Sequence, residues 1–342
     1  MNSVEMGTFP LVNDSEANDD CHDIEERVNT TFGSVKVSIY GDRAKLPIVT
    51  FHDIGLDSDL NFQNFFQFGN IAEFSKEFCV YNINAPGQET DAHRLPEVYQ
   101  FPGMDGLARI VECVVDHFDF KSFVGLGVGA GANVLLRYAL NNSRKLISLI
   151  LINCDPSPAG WIEWGYQKMN ISYLKSKGMT PFTIDYLMWH HFGKRLDECN
   201  PDIIRQYRSL FHNLPNPSNV AGYIESYLNR TPILISRDGT NGPMLNVPVM
   251  QIVGSRSPFI DQTVLINECL DPSKSDWIKF QDSCGLILDD SPEKVAQSMV
   301  LFLQGLGYLV NINVQKLVKD MNNVRNGIIP SEDNKYTTIS EE

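Results

Sequence analysis

The sequence lacks the features that direct a chain into or across a membrane. Its first 26 residues are rich in Asp and Glu and contain no lysine or arginine, so they form neither the basic nor the apolar segment of a secretory signal peptide. No stretch approaches the roughly 20 consecutive apolar residues that a membrane span requires. We therefore expect a cytoplasmic protein without a transmembrane segment.

Cysteines with the spacing of a redox or metal-binding motif are also missing. The seven cysteines are scattered and form no Cys-x-x-Cys sequence, which favours a reducing compartment. Cys79, Cys113 and Cys154 lie in apolar patterns, so we expect them to be inert core thiols. Cys284 follows a different pattern, and its loop position predicts a thiol that could be exposed and reactive.

Positive charge is scarce. The chain has 42 acidic and 28 basic side chains and a formal net charge of -14. Such a surface repels phosphate backbones, so we do not expect direct nucleic acid binding. Acidic residues are concentrated at both ends. This predicts a disordered N-terminal tail over residues 1–32, and a helix followed by a polar tail over residues 311–342.

Between these ends, apolar strand patterns alternate with helical periodicities. One clear helical pattern runs from Met104 to His117 and a closing one from Pro292 to Gly305. The alternation predicts a mostly parallel sheet flanked by helices, in one domain over residues 33–310. An aromatic-rich block at about 158–246 has few strand patterns, and we interpret it as a helical cap inserted in that domain.

A strand, a tight turn and a helix are predicted around four alternating glycines, Gly125, Gly127, Gly129 and Gly131. Residues 127–132 fit the dinucleotide-binding sequence Gly-x-Gly-x-x-Gly/Ala, with Asp155 as the acid for the ribose. Residues 125–129 fit the nucleophile elbow of α/β-hydrolases, Gly-x-Ser-x-Gly. At least three predicted strands precede the turn, whereas the dinucleotide motif normally opens its domain, so the hydrolase motif is favoured.

The hydrolase motif identifies three positions where a catalytic triad should lie. In this fold the nucleophile, acid and histidine follow one another in that order. They fall at Gly127, Ser257 and Gly285, and no histidine occurs after His212. Because a triad needs a hydroxyl or thiol, a base and an orienting carboxylate, we expect a degenerate hydrolase that is not an enzyme.

The same motif defines a possible ligand cleft at His52, Asp53, Ile54, Gly127 and Val128. Backbone N–H groups of Ile54 and Val128, in the oxyanion positions, could hold a small anionic ligand such as a carboxylate or phosphate. Tight packing of helix on strand is the more common reason for such glycines. A structural histidine is likewise the more common role at the position of His52.

Other polar residues give weaker signals. Asp53 and Asp155 both follow predicted strands and could act together in acid–base chemistry, although turn and cap roles are more common for Asp there. His190 and His191 are adjacent and do not share a helix face, so they are a poor metal pair. No metal or cofactor site is therefore expected.

Several segments together resemble the N-myc downstream-regulated (NDRG) family. They are His52-Asp53-Ile54-Gly55, Asn84-Ala85-Pro86-Gly87-Gln88, the glycine turn from 125 to 132, Leu140-Asn141-Asn142, Leu151-Ile152-Asn153, Gly160-Trp161 with Trp164, and Phe302-Leu303-Gln304-Gly305-Leu306-Gly307-Tyr308. The resemblance covers about residues 33–310.

This resemblance implies an α/β-hydrolase fold, with a mostly parallel central sheet and a helical cap, that lacks a working triad. It also implies a cytoplasmic, non-enzymatic adaptor in signal transduction, differentiation or stress response that acts through protein partners. The alternative is a small-ligand or lipid-binding protein, or a residual hydrolase, that uses the former active-site cleft.

Overall fold

The computed structural model describes residues 24–67, 77–160, 178–281 and 283–314, together with positions 165, 171, 174, 175 and 316. Residues 1–23 of the predicted N-terminal tail lie outside this part of the chain. Nearly all of the helix and polar tail predicted after residue 311 lies outside it as well.

Eight strands form one sheet in the spatial order β1-β2-β4-β3-β5-β6-β7-β8. β2 runs antiparallel to its neighbours β1 and β4, and the other neighbouring pairs are parallel. The strands are β1 Ile24–Thr30, β2 Gly33–Gly41, β3 Leu46–Phe51, β4 Phe78–Ile83, β5 Phe123–Val128, β6 Leu146–Ile152, β7 Val249–Gly254 and β8 Ser275–Phe280. The predicted mostly parallel sheet is confirmed.

β1 lies inside the segment that was predicted to be a disordered tail, so the tail's boundary at residue 32 is wrong. The strand carries four charged or amide side chains and buries Val28 as its one apolar core residue. Backbone pairing with β2 along its whole length holds it in the sheet. An edge strand is paired on one side only. Backbone hydrogen bonds to that one neighbour can hold it without a regular pattern of apolar side chains.

The helices cover the sheet and form the cap. They are α1 Asn64–Gln67, α2 Met104–His117, α3 Ala130–Asn142, α4 Pro181–Phe192, α5 Pro201–His212, α6 Pro217–Leu228, α7 Ile260–Cys269, α8 Ile287–Asp290 and α9 Pro292–Gly305. Short turns of other helix types cover Asp59–Gln63, Ser143–Lys145 and Leu196–Glu198. Helices α4, α5 and α6 lie between β6 and β7, within the interval predicted for the cap.

The core has one apolar layer on each face of the sheet. Along β3, Val49 and Phe51 belong to one layer and Ile48 to the other, as the two-residue period of a strand requires. The first layer includes apolar residues of α2, α3 and the cap, and the second includes those of α9. The six strands from β3 to β8 are parallel, so their carboxyl ends lie at one edge of the sheet, where clefts form in this architecture.

Candidate functional site

Gly129 makes the turn between β5 and α3. Its backbone angles are φ 53° and ψ -114°, a combination that favours glycine because a side chain would be strained there. In a nucleophile elbow the strained turn residue between strand and helix is the nucleophile. The elbow is therefore Gly127-Val128-Gly129-Ala130-Gly131, with Gly129 at its centre.

The predicted placement of Gly127 at the nucleophile position is therefore wrong by two residues. Gly127 lies inside β5, and a Cβ atom there would approach the Cα of Ala132 to 2.6 Å. The residue lets α3 pack directly on the strand. Alternating glycines satisfy the motif with either Gly127 or Gly129 at its centre, so the motif alone does not distinguish the two positions.

The carboxylate of Asp53 occupies the space above Gly129. A Cβ atom on Gly129 would lie 2.0 Å from Asp53 Oδ2. Asp53 Oδ1 accepts hydrogen bonds from the backbone N–H groups of Ile54 and Ala130, both at 2.8 Å. Ile54 belongs to the loop after β3, and Ala130 directly follows the nucleophile position Gly129. These are the two places that supply the oxyanion hole of this fold.

The oxyanion hole is thus filled by a carboxylate of the same chain. The prediction that Val128 supplies one oxyanion donor is wrong, because Val128 is the last residue of β5 and the donor is Ala130. Ile54, the other predicted donor, directs its N–H to Asp53 of the same chain. Because Asp53 is 2% exposed, an external anion at these two N–H groups would first have to displace a buried side chain.

Histidines from the cap hold Asp53 in place. His190 Nε2 lies 3.0 Å from Oδ1 and 2.9 Å from Oδ2 of Asp53. Burial alone would raise the pKa of Asp53, but the charge of His190 and its hydrogen bond, with help from His191 and the Ala130 N–H group, lower it to about 2. Asp53 is therefore a carboxylate at neutral pH.

His191 has a separate set of contacts. Its Nε2 atom lies 3.0 Å from the carbonyl oxygen of Ile54, and its Nδ1 atom lies 3.7 Å from Asp53 Oδ2. Burial lowers the pKa of His191 to about 4, against the opposing effect of the Asp53 charge. Although adjacent residues do not share a helix face, the imidazoles of His190 and His191 both reach the same carboxylate.

His52 serves the backbone. Its Nε2 atom accepts a hydrogen bond from the N–H of Ala85 at 2.9 Å, so Nδ1 carries the proton and donates to the carbonyl oxygen of Asp53 at 2.8 Å. The hydroxyl of Tyr223, from cap helix α6, donates to the carbonyl oxygen of His52 at 2.8 Å. With both ring nitrogens in use and the side chain fully buried, His52 orients the loop after β3.

The other two triad positions are joined to each other through Asn153. The hydroxyl of Ser257 donates to Asn153 Oδ1 at 2.9 Å, and Asn153 Nδ2 donates to the carbonyl oxygen of Gly285 at 2.6 Å. A Cβ atom on Gly285 would lie 1.9 Å from the carbonyl oxygen of His191. Cap helix α4 therefore occupies the place where a catalytic histidine would need room.

Asp155 does not pair with Asp53. Its carboxylate forms a buried salt bridge with Arg230 at 2.7 Å and accepts a hydrogen bond from the N–H of Ser157 at 2.8 Å. The guanidinium of Arg230 also donates to the carbonyl oxygen of Ser157. Asp155 thus fixes the turn after β6 and the end of the cap, which removes the basis for a two-carboxylate acid–base site.

A disulfide also joins the cap to the core beside this site. Cys199, which follows the turn Leu196–Glu198 in the cap, is bonded to Cys284 in the loop after β8, with 6.4 Å between their Cα atoms. Cys284 is buried, so the prediction of an exposed, reactive thiol is wrong. Cys79 and Cys154 are buried, as predicted, whereas Cys113 is only partly buried.

The fold is similar to that of known hydrolases. An esterase from Thermogutta terrifontis, solved with malate bound, matches with a TM-score of 0.67 and 19% identity over 83% of this chain and 99% of that one. A hydrolase from Pseudomonas aeruginosa PA01 matches with a TM-score of 0.65 and 16% identity over 82% of this chain and 98% of that one. These likenesses confirm the predicted α/β-hydrolase fold.

Similarity of sequence points to a narrower group. Protein NDRG2 of Xenopus laevis is 36% identical over 310 residues, which cover 90% of this chain and 82% of that protein. Protein NDRG2 of Homo sapiens is 36% identical over 292 residues, which cover 85% of this chain and 76% of that protein. The model of the Ndr family matches residues 25–310. The predicted resemblance is confirmed, and the chain belongs to the Ndr family.

Proposed function

We propose that this member of the Ndr family is a non-enzymatic adaptor that acts in signal transduction, differentiation or stress response through protein partners in the cytoplasm. The observation that carries the proposal is the carboxylate of Asp53 in the oxyanion hole above Gly129. Acyl transfer needs a nucleophile at the elbow and free N–H donors for the developing oxyanion. In this chain the nucleophile position is Gly129, and both N–H donors of the oxyanion hole already bind the carboxylate of Asp53.

Three features support the remaining parts of the proposal. Cap residues close the former cleft, since Leu187, His190 and Tyr223 all contact the loop after β3. The excess of acidic side chains disfavours nucleic acid as a direct partner. Among the helices of the described residues, none combines the length and apolar character needed to cross a membrane. The signalling role itself rests on the family resemblance.

The first test is an assay of the purified full-length protein against p-nitrophenyl esters of several chain lengths. It is run beside a thermal-shift screen with nucleotides, acyl carboxylates and phosphoinositides. We expect no turnover above buffer and no ligand-dependent rise in Tm. The screen would detect binding, because a ligand at 100 times its Kd would stabilise the protein by about 2.7 kcal/mol.

Two variants make the test sharper. Asp53→Ala removes the carboxylate from the oxyanion hole, and Asp276→Ala removes an exposed carboxylate on β8. Ester turnover by the wild-type protein that Asp276→Ala keeps and Asp53→Ala loses would contradict the proposal, as the former cleft would then be catalytic. A Tm rise with one ligand class, lost in Asp53→Ala alone, would instead favour a small-ligand or lipid-binding protein.

A further inference from the structure

Three side chains that commonly bind metals meet between the cap and the core. Asp53 comes from the loop after β3, and His190 and His191 come from the last turn of α4. One potential ligand atom from each lies within 4.8 Å of the other two. All three residues are at most 3% exposed.

The hydrogen bond of His191 decides which of its nitrogens is free. A carbonyl oxygen can only accept, so the contact of 3.0 Å with Ile54 O places the ring proton of neutral His191 on Nε2. The lone pair is then on Nδ1, which faces Asp53 Oδ2 at 3.7 Å. The lone pairs of His191 Nδ1 and Asp53 Oδ2 thus face each other in a buried site, which is unfavourable unless a cation lies between them.

His190 approaches the same oxygen from another direction. Its Nε2 atom is 2.9 Å from Asp53 Oδ2, and its ring is nearly perpendicular to that of His191, with 5.0 Å between ring centroids. His190 Nδ1 is buried and has no hydrogen-bond partner among the described residues. A neutral His190 ring with its proton on Nδ1 would therefore offer Nε2 as a ligand without breaking another hydrogen bond.

The surrounding backbone fixes two of the three ligands. Asp53 Oδ1 is held by the N–H groups of Ile54 and Ala130, whereas Oδ2, within the described part of the chain, makes polar contacts only with the two cap histidines that would share the ion with it. The bond from His191 Nε2 to a carbonyl oxygen is the usual support of a metal-binding histidine. Such contacts fix the tautomer and the direction of the ring before an ion arrives.

We propose that Asp53, His190 and His191 bind one divalent first-row transition ion, with Zn²⁺ as the best match. Two imidazoles and one carboxylate suit Zn²⁺, whereas Mg²⁺ and Ca²⁺ prefer sites made of oxygen alone. Because one ligand belongs to the core and two belong to α4, the ion fastens the cap to the sheet. This inference goes beyond the proposed function and does not depend on it.

The test measures zinc retention by the full-length protein with any affinity tag removed. The protein is stripped with a chelator, incubated with ZnCl₂ and dialysed against metal-free buffer, and zinc per chain is then measured by mass spectrometry. We expect about one equivalent, together with a Tm that rises by several degrees with ZnCl₂ and not with MgCl₂. Retention of no zinc would overturn the proposal.

Matched glutamine variants locate the ion. His190→Gln and His191→Gln each keep an amide donor near its present acceptor but remove the imidazole ligand, and His212→Gln changes a histidine exposed at the end of α5. We expect the first two to lose the bound zinc and the zinc-dependent rise in Tm, and the control to keep both. Equal zinc retention by all three variants would show that the ion lies elsewhere.

A spectrum keeps the test decisive if the variants fail to fold. Cobalt in place of zinc gives visible absorption bands that report ligand type and coordination number. The wild-type protein should show bands of a site with nitrogen and oxygen ligands and no thiolate charge-transfer band. A thiolate band would assign the ion to free cysteines such as Cys113 or Cys269 and would contradict the proposal.

Discussion

Asp289 is a carboxyl group whose protonation is coupled to folding. It lies in α8, shortly after the loop that carries Gly285, and the hydroxyl of Tyr207 in cap helix α5 donates to its Oδ2 atom at 2.7 Å. Burial raises the pKa of Asp289, the hydrogen bond from Tyr207 opposes the rise, the charge of Asp290 adds to it and the bond from Asn64 opposes it, so that the pKa is about 6. The folded protein therefore keeps a proton that the unfolded chain releases near pH 3.9.

The sign of the pH dependence follows from this difference. Between about pH 4 and pH 6 the folded state binds more protons, so the stability from this group is fully present below about pH 4 and is lost as the pH rises through about 6. A difference of two pKa units between the folded and unfolded states corresponds to an upper limit of about 3 kcal/mol of stability. The contribution of Asp289 is smaller, because its carboxyl is only partly buried. Asp289→Asn keeps an acceptor for Tyr207, so its free energy of unfolding should vary less over this interval.

Urea unfolding of the wild type and of Asp289→Asn at several pH values measures this effect. Asp276→Asn, at an exposed site on β8, is the control and should follow the wild type. If the curves of the wild type and Asp289→Asn stay parallel from pH 4 to pH 6, the raised pKa is not present in the protein.

Single residues also show which features of the site could not be predicted from the sequence. His52, Asp53 and Ile54 were predicted to lie together at the former cleft, because strand ends and the hydrolase motif locate them. The role of Asp53 was not predictable. Its partners Ala130 and His190 are 77 and 137 residues away in the sequence, and no local pattern records a contact between a core loop and the end of a cap helix.

The strand–turn–helix unit of β5 and α3 is held together by close approach. Gly127 contacts the first turn of α3, and Gly131 lies where a Cβ atom would come within 2.0 Å of the carbonyl oxygen of Phe51. Both contacts are with backbone, which cannot move aside as a flexible side chain can. Larger residues here would push α3 away from the sheet and would disturb the N–H of Ala130 that holds Asp53.

We expect Gly127→Ala to destabilise the fold by about 1–3 kcal/mol more than Gly103→Ala, because overpacking against backbone forces a shift of the helix. At Gly103 an added Cβ atom meets nothing within 4 Å. Denaturant unfolding followed by circular dichroism gives both values. Equal stability of the two variants would mean that α3 moves away freely, and the close packing would then not be essential.

Elements with a strong periodic pattern were predicted well. The helix predicted from Met104 to His117 has those bounds in α2, because its apolar face repeats at helical spacing throughout. The frame of the glycine turn was missed by two residues, since glycines at every second position leave no side chain to mark which one turns the chain. β1 was missed because pairing with β2, not burial, holds it in place.

At the scale of the whole molecule, the order of landmarks along the chain predicted the fold, but not how the cap is attached. The hydrolase fold places its loops in a fixed sequence, and each strand end appeared in turn. Attachment of the cap depends on contacts between distant residues, including His190 with Asp53 and Tyr207 with Asp289. The disulfide between Cys199 and Cys284 joins the same two parts across 85 residues.

The disulfide gives a direct measure of how much the attached cap contributes to stability. A cross-link that closes a loop of this size typically stabilises a protein by about 2–4 kcal/mol, because it restricts the unfolded chain. We expect Cys199→Ala/Cys284→Ala to lose about this much free energy of unfolding. Dithiothreitol should lower the stability of the wild type by a similar amount and leave the double variant unchanged.

Cys269→Ala, which changes a free and partly buried cysteine, is the control and should respond to dithiothreitol as the wild type does. If dithiothreitol lowered the free energy of unfolding of the double variant as much as that of the wild type, the effect of the reductant would not come from the Cys199–Cys284 disulfide. In a compartment where thiols are kept reduced, this bond would be absent. There the cap would be held without the cross-link. Buried polar contacts, and not the disulfide, would then determine whether the former cleft stays closed: those of Asp53 with the cap histidines, and the hydrogen bonds from Tyr207 and Tyr223.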